Sequence, residues 1–480
     1  MAESAAAVQA LIGRAFSERR RLRAHGAAWS FSEAPAVPGG WPLATGYANW
    51  LFPLPATHVD PAFSGDRDGL VLCQTGISVA ELNIYLERRG RSLVTTGASN
   101  GQTLVGAVST GTHGSAIDQP AMQGQVAAIQ LLSGPASNLW IEPASEPVTD
   151  GRLASALGAT VVRDNRLFQA VLVGLGAFGV IHALLIKTAP IFLMRMDRER
   201  IAFDDGVKSV MTGGSFDGVK LPGPGGRPYF FQSVVNDHID KGAAYVTVGH
   251  RLAWDPDHAL DYAMRDKRGP GYNLAVVVAN LLEAFPGLTP PITKAVLSDQ
   301  LAPIRDRTGS WGQSFNYTTP RAGTVGSSTA VPVDRVIDAL DILGRALKKV
   351  GKAPVAFACR YAVQSPGLLA FTRFPRTTII DIDGIDTKAT RQMMAAAVDG
   401  LTAAGIPHAE HWGKINQMTA VSVRDAYGPD LESWMKARTE LLDRQGGAIR
   451  PGTAGRPAAP SLNSPDLSFR DDPERRCRRH

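Results

Sequence analysis

From Thr95 to Leu132 the chain reads TTGASNGQTLVGAVSTGTHGSAIDQPAMQGQVAAIQLL, dense in Gly, Ala, Ser and Thr yet punctuated by Val, Leu and Ile. Small residues at this density let backbone approach a ligand closely and tolerate the angles such an approach needs. No Lys or Arg occurs between Arg91 and Arg152. An anion bound here must be held by backbone N–H groups and hydroxyls, as in a nest of successive amides. That chemistry suits a large cofactor with a buried diphosphate, gripped without salt bridges. Metal chemistry is not indicated. Cys73, Cys359 and Cys477 are far apart and odd in number, and His408 and His411 lack a third ligand at a useful spacing.

Thr95-Thr96-Gly97-Ala98-Ser99, then Gly106-Ala107-Val108-Ser109-Thr110-Gly111-Thr112-His113-Gly114, resembles the FAD-binding core of the vanillyl-alcohol-oxidase-type flavoproteins. Alditol, sugar-lactone and some cholesterol oxidases belong to that group. Gly26-Ala27-Ala28-Trp29-Ser30-Phe31-Ser32 is similar to its early Gly-x-x-His-Ser turn, and Val173 to Val180 (VGLGAFGV) to its closing segment. Three motifs in the expected order are far more specific than one. The resemblance implies FAD, contacted by Gly26, Trp29, Ser30, Thr96, Gly97, Ser99, Gly106, Ser109, Thr110, Gly111, His113, Gly114, Ser115, Gly176, Gly179 and Val180. His113 either orients the cofactor or satisfies buried backbone. Many members of the group carry, at the position of Trp29, a histidine bonded to the flavin 8α-carbon. Indole has no such nucleophilic nitrogen, and His25 lies on the wrong side of the turn, so the resemblance implies non-covalent FAD.

Two later segments extend the resemblance. His411-Trp412-Gly413-Lys414 resembles a His-Trp-Gly-Lys segment of alditol and aldonolactone oxidases. Oxidising an alcohol moves a hydride to flavin N5 while a proton leaves the hydroxyl, which calls for a base and a cation nearby. A lysine facing the ring also stabilises negative charge on the reduced flavin. Phe357-Ala358-Cys359-Arg360-Tyr361 is similar to a strand that carries Glu-x-Arg in related oxidases, with Arg360 matching the arginine and Ala358 replacing the carboxylate. On a strand, residues 358 and 360 share a face, so Ala358 should leave one side of the site apolar and favour a bulky, lipophilic alcohol. Cys359 should face the core, and Tyr317 offers a further hydroxyl. Arg360, His411 and Lys414 are the expected catalytic residues.

The elements that must position these groups point to a two-domain α+β flavoprotein. Residues 1–194 form the expected FAD-binding domain, 195–420 a substrate domain, 421–445 a helix returning to the first, and 446–480 a tail rich in Pro, Gly, Ser and Arg that reads as disordered. Helical spacing covers Val79 to Arg89, Asp334 to Lys349 and Thr387 to Ala404, and strand-like runs occupy Ser92 to Thr96, Ala244 to Val248 and Thr377 to Ile382. Leu274 to Leu301 reads as a buried helix or the wall of a lipophilic pocket. Gly174 to Gly179 spells G-x-G-x-x-G, but a nicotinamide fingerprint must open a helix, and VIHALLIKTAP has no amphipathic period.

The net charge of +6 is swollen by seven Arg against four acidic residues after residue 445. No basic helix with interleaved aromatics suggests nucleic acid. Leu274 to Phe285 is too short to span a bilayer, and the scattered cysteines and the first 16 residues suggest a cytoplasmic protein. The expected partners are a small-molecule alcohol and oxygen. The rival readings are a dehydrogenase using another electron acceptor and a catalytically weakened flavin-binding scaffold.

Overall fold

The structure is a computed structural model and describes residues 1–97, 100–236, 240–262, 274–316 and 323–445. Ser99, Tyr317 and the tail from 446 lie outside the described residues.

The first lobe is built on a six-stranded sheet in the order Leu51–Pro53, Leu70–Gln74, Val180–Lys187, Val126–Gly134, Ser137–Glu142 and Thr160–Arg163. Its central strands are nearly continuous apolar runs because both faces are covered. Helices Val79–Glu87, Leu104–Thr110 and Asn165–Leu172 close one face through Leu82, Leu86, Leu104, Phe168 and Leu172. Trp140, Leu153 and Phe63 belong to the cluster on the other. Helix Ala2–Ser17 precedes a parallel pair, Leu22–His25 with Trp41–Ala44. Strand pairing predicted over Ser92 to Thr96 stops at Ser92. Beyond it the backbone bonds to side chains instead, Val94 N–H donating to Gln125 and Gln125 donating to the Thr95 carbonyl.

Gly179 runs straight into strand Val180–Lys187, antiparallel to both neighbours. No helix N-terminus follows, so the G-x-G-x-x-G run cannot cradle a phosphate in the nicotinamide manner. Helix Pro429–Gln445 covers the turn instead. Trp434 Nε1 donates to the Val173 carbonyl at 3.2 Å and Arg438 Nε to that of Ala177 at 3.0 Å.

The second lobe is an eight-stranded antiparallel sheet. Its order is Ile304–Ser310, Leu193–Ala202, Ala243–Leu252, Phe230–Val235, Val355–Val363, Arg376–Ile385, Thr324–Pro332, Ala409–Glu410. Side chains alternate across it with period two. Phe357, Cys359, Ile380 and Ile382 point to helices Val336–Val350 and Lys388–Ala403, while Ala330, Ala362 and Ile379 join the core of the first lobe. Arg360 and Asp381 therefore share the face turned toward the cofactor-motif stretch.

The stretch Leu274 to Leu301 departs from expectation. It forms two helices, Leu274–Ala284 and Thr289–Gln300, bent by 119°. Ala279 and Leu282 are buried, but Val277 and Phe285 are 57% and 61% exposed, so the pair is a partly exposed apolar flap rather than a buried helix. Among the described residues no single helix is long and apolar enough to cross a membrane.

Candidate functional site

The site begins where strand Leu22–His25 gives way to the turn at residues 26–32. A Cβ at Gly26 would collide with the Thr103 hydroxyl, so only glycine lets the turn lie against the loop before helix Leu104–Thr110. The far side of the turn is pinned to the late segment. Phe31 N–H donates to the Gly413 carbonyl at 2.9 Å, and Ser32 Oγ to that of Trp412 at 2.9 Å. Trp29 and Ser30 are half-buried in this turn, next to Ala28, which adopts a positive φ of 54°. Segments nearly 400 residues apart are thus joined by two backbone-directed hydrogen bonds.

The glycine-rich stretch forms the adjoining wall. Thr96 and Asn100 are both 1% exposed, and Thr96 Oγ1 donates to Asn100 Oδ1 at 3.0 Å. The Asn100 Nδ2 donor, buried as well, has no protein partner. A Cβ on Gly114 would lie 2.5 Å from the Thr96 carbonyl oxygen, so the two backbones touch. Ser109 and Thr110 are half-buried, Gly106 is exposed, and Thr110 Oγ1 would lie 3.1 Å from a Cβ on Gly413. Gly97 and Gly111 are buried in the same wall, Gly111 against Phe371.

Four expected cofactor contacts are used by the protein itself. Ser115 is fully buried, donates to the Phe231 carbonyl and accepts from Tyr361 N–H at 3.0 Å, so its hydroxyl ties the two lobes and its one proton is committed to the protein. Gly176 packs on the Arg23 guanidinium, Gly179 on the Leu132 carbonyl, and Val180 in a small core with Ala5 and Leu132. Tight packing accounts for these three.

The second-lobe face corrects the reading of Ala358. Asp381 stands directly opposite it on the neighbouring strand and is fully buried. Arg360 Nε lies 3.2 Å from Asp381 Oδ2, Lys414 Nζ 2.9 Å from Asp381 Oδ1, and Ser328 Oγ donates to the same carboxylate. Asp383, two residues on, lies 3.6 Å from Lys414. The side expected to be apolar is an ionic cluster. Burial alone would raise the Asp381 pKa, but Arg360, Lys414 and His113 hold it well below the usual carboxylate range. Burial would likewise lower Lys414, and Asp381 with Asp383 raise it instead. Both groups stay charged. Removing one partner from such a buried pair typically costs about 3–5 kcal/mol, because the other charge is left uncompensated.

Against this cluster sit two imidazoles. The His113 and His411 ring centroids are 5.9 Å apart, with Phe371 5.3 Å from the first and 4.7 Å from the second. Burial lowers His113 to about 4 and His411 well below its ordinary value, so both are neutral near pH 7. Gly413 N–H donates to His411 Nδ1 at 2.9 Å, which assigns that ring's hydrogen to Nε2. His113 Nδ1 meets the Gly114 carbonyl at 3.1 Å, which assigns its hydrogen to Nδ1 and leaves Nε2 bare. One ring is a donor and the other an acceptor. Trp412 anchors the segment, its Nε1 donating to the Leu369 carbonyl at 2.8 Å. Arg360, His411 and Lys414 are thus brought together beside His113, Thr110 and Gly111. Asp381, Asp383 and Ser328 are the members that the sequence reading missed. Two carboxylates spaced i, i+2 in the otherwise apolar run TTIIDIDGI were the available signal.

No protein-family model matches this chain. It is 27% identical to a Neurospora crassa protein named as a D-arabinono-1,4-lactone oxidase over 219 residues, which are 45% of this chain and 34% of that protein. It is 25% identical to the Yarrowia lipolytica D-arabinono-1,4-lactone oxidase over 160 residues, 33% of this chain and 27% of the relative. The chain thus matches roughly a third or less of the length of these relatives. Among solved structures it is similar to a solvent-stable cholesterol oxidase, with a TM-score of 0.63 at 15% identity over 91% of this chain and 92% of that one. A cholesterol oxidase from Brevibacterium sterolicum with a histidine-to-alanine substitution gives a TM-score of 0.57 at 14% identity, covering 82% and 78%. At these identities the likeness concerns the fold: a two-lobed α+β architecture shared with these two cholesterol oxidases.

Proposed function

We propose that the chain is an FAD-dependent oxidoreductase that oxidises a CH–OH group, with oxygen as the electron acceptor. The single observation that carries this reading is the convergence of Arg360, Lys414, His411 and His113 against the small-residue wall. The lactone-oxidase and cholesterol-oxidase likenesses support it.

The residues present fit FAD. The wall of Thr96, Gly97, Ser109, Thr110, Gly111 and Gly114 has backbone too closely packed at Gly114 to admit a Cβ, and it keeps a buried, unpartnered Asn100 Nδ2 donor. Those residues, with Gly26, Trp29 and Ser30 of the turn, would hold the cofactor without a cation. Trp29 offers no nucleophilic nitrogen, so binding is non-covalent. Bound FAD supplies a hydride acceptor at N5.

The chain's own residues do the rest. The substrate carbon gives up its hydrogen with two electrons, the hydroxyl gives up a proton, and a carbonyl product remains. Arg360 and Lys414 polarise the hydroxyl and balance negative charge as it develops. The bare Nε2 of His113 accepts the proton, and the burial that keeps this ring neutral keeps it available above about pH 4. His411, whose Nδ1 is taken by Gly413 N–H, serves as a donor rather than a base. Substituting Lys414→Met should slow flavin reduction by roughly 10²-fold while leaving FAD bound. Stopped-flow absorbance measures this, and an unchanged rate removes Lys414 from the mechanism.

A further inference from the structure

We propose that Asp381 is the positioning carboxylate of this site, aiming Arg360 and Lys414 at the substrate hydroxyl from a strand next to the one that carries the arginine. The proposal rests on the alcohol-oxidising reading and deepens it. The register places Ala358 and Asp381 directly across from each other, and Arg360 is two residues along on the same face as Ala358. A methyl group at 358 leaves the space that the Asp381 side chain fills. From there one carboxylate reaches both cations, its two oxygens divided between them, Oδ2 toward Arg360 and Oδ1 toward Lys414.

The contacts are unequal in a way that points to a ligand. Lys414 makes a hydrogen-bonded pair at 2.9 Å. Arg360 Nε and Asp381 Oδ2 are 3.2 Å apart but misaligned, and each is a buried atom without a hydrogen-bond partner. Among the described residues the guanidinium has no other ion-pair partner. It is oriented by charge while its N–H groups remain available to an oxygen atom. Without Asp381 two half-buried cations would face each other, and among the described residues the half-exposed Asp383 near Lys414 would be the one carboxylate left beside them. Asp381 itself is not the proton acceptor, because two cations and the Ser328 hydroxyl favour its ionised form.

The test uses Asp381→Asn, Asp381→Ser and the double variant Ala358→Glu/Asp381→Ser, which returns a carboxylate from the opposite strand. The first readout needs no flavin chemistry: acetylation of Lys414 by acetic anhydride at pH 8, mapped by mass spectrometry. The second is the anaerobic rate of flavin reduction at saturating alcohol. Loss of Asp381 should raise Lys414 labelling several-fold and slow reduction about 10²-fold with FAD still bound. The double variant should recover at least ten-fold of that rate over Asp381→Ser. Wild-type labelling together with wild-type reduction in Asp381→Asn would overturn the proposal. If the single variants do not fold, a folded double variant that reduces flavin supports it, and one that is folded but inert overturns it. Should no alcohol reduce the wild-type flavin, the alcohol-oxidase reading fails, while the labelling still decides whether Asp381 clamps Lys414.

Discussion

A carboxylate on the strand beside Arg360 pairs with that arginine and with Lys414, and its place was not readable from the chain. Asp381 is distant in sequence from both Arg360 and Lys414, and strand register, which brings the three together, is a tertiary property. The motif residues were legible because backbone constraint dictates their type: Gly26 and Gly114 tolerate no Cβ. At Trp29 an indole stands where the resemblance implies a flavin-linked histidine, and an indole cannot form that bond. Acid precipitation of the holoprotein should therefore release all of the yellow colour, and flavin retained in the pellet would contradict non-covalent binding. Glu410, beside His411, is buried and accepts one backbone N–H, from Gln417 at 2.8 Å. Burial pushes its pKa up to about 7. An acid whose folded pKa is raised contributes stability at low pH that is lost as pH rises through the folded value. Replacing Glu410→Gln should thus gain stability relative to the wild type as pH rises from about 4.5 to 7, by at most about 1.4 kcal/mol per unit. Urea unfolding of both proteins across that range measures it, and a constant difference would contradict it.

At the scale of elements, period and punctuation carried most of the fold. The helices Val336–Val350 and Lys388–Ala403 and the strand Arg376–Ile385 lie where hydrophobic spacing placed them. The failures share a cause. Between Leu274 and Leu301 an almost uniformly apolar composition reads as burial, but a helix apolar all round gives no periodic cue to which face is covered. Here Ala279 and Leu282 are buried while Val277 and Phe285 are exposed. Likewise Ser92 to Thr96 has strand-forming residues, but Gln125 takes the backbone bonds that a partner strand would have supplied. The wall around Gly114 leaves no room for a side chain. Substituting Gly114→Ala forces its methyl group onto the Thr96 carbonyl, 2.5 Å away. Overpacking of this kind costs about 1–3 kcal/mol, and it displaces the loop expected to hold FAD. A lower melting temperature together with weaker flavin retention is the expected outcome. Normal retention would place the cofactor elsewhere.

Taken as a whole molecule, the protein carries its glycine-rich motifs in one lobe and the Arg360 and Lys414 cations in the other, and the two meet through a shared core and a set of buried hydrogen bonds. Ser115 bonds to both Phe231 and Tyr361, and buried Glu87 accepts from Ser310 Oγ and Gly312 N–H at 2.6 and 2.7 Å. In the proposed reaction a flavin lies between these lobes and takes a hydride from an alcohol. The visible spectrum of the FAD-loaded protein, recorded anaerobically before and after adding polyols, sugar lactones and sterols, tests it most directly. Flavin absorbance should bleach with at least one of them and return on admitting oxygen. A protein that cannot be reconstituted with FAD, or whose flavin stays oxidised with every alcohol, would contradict it.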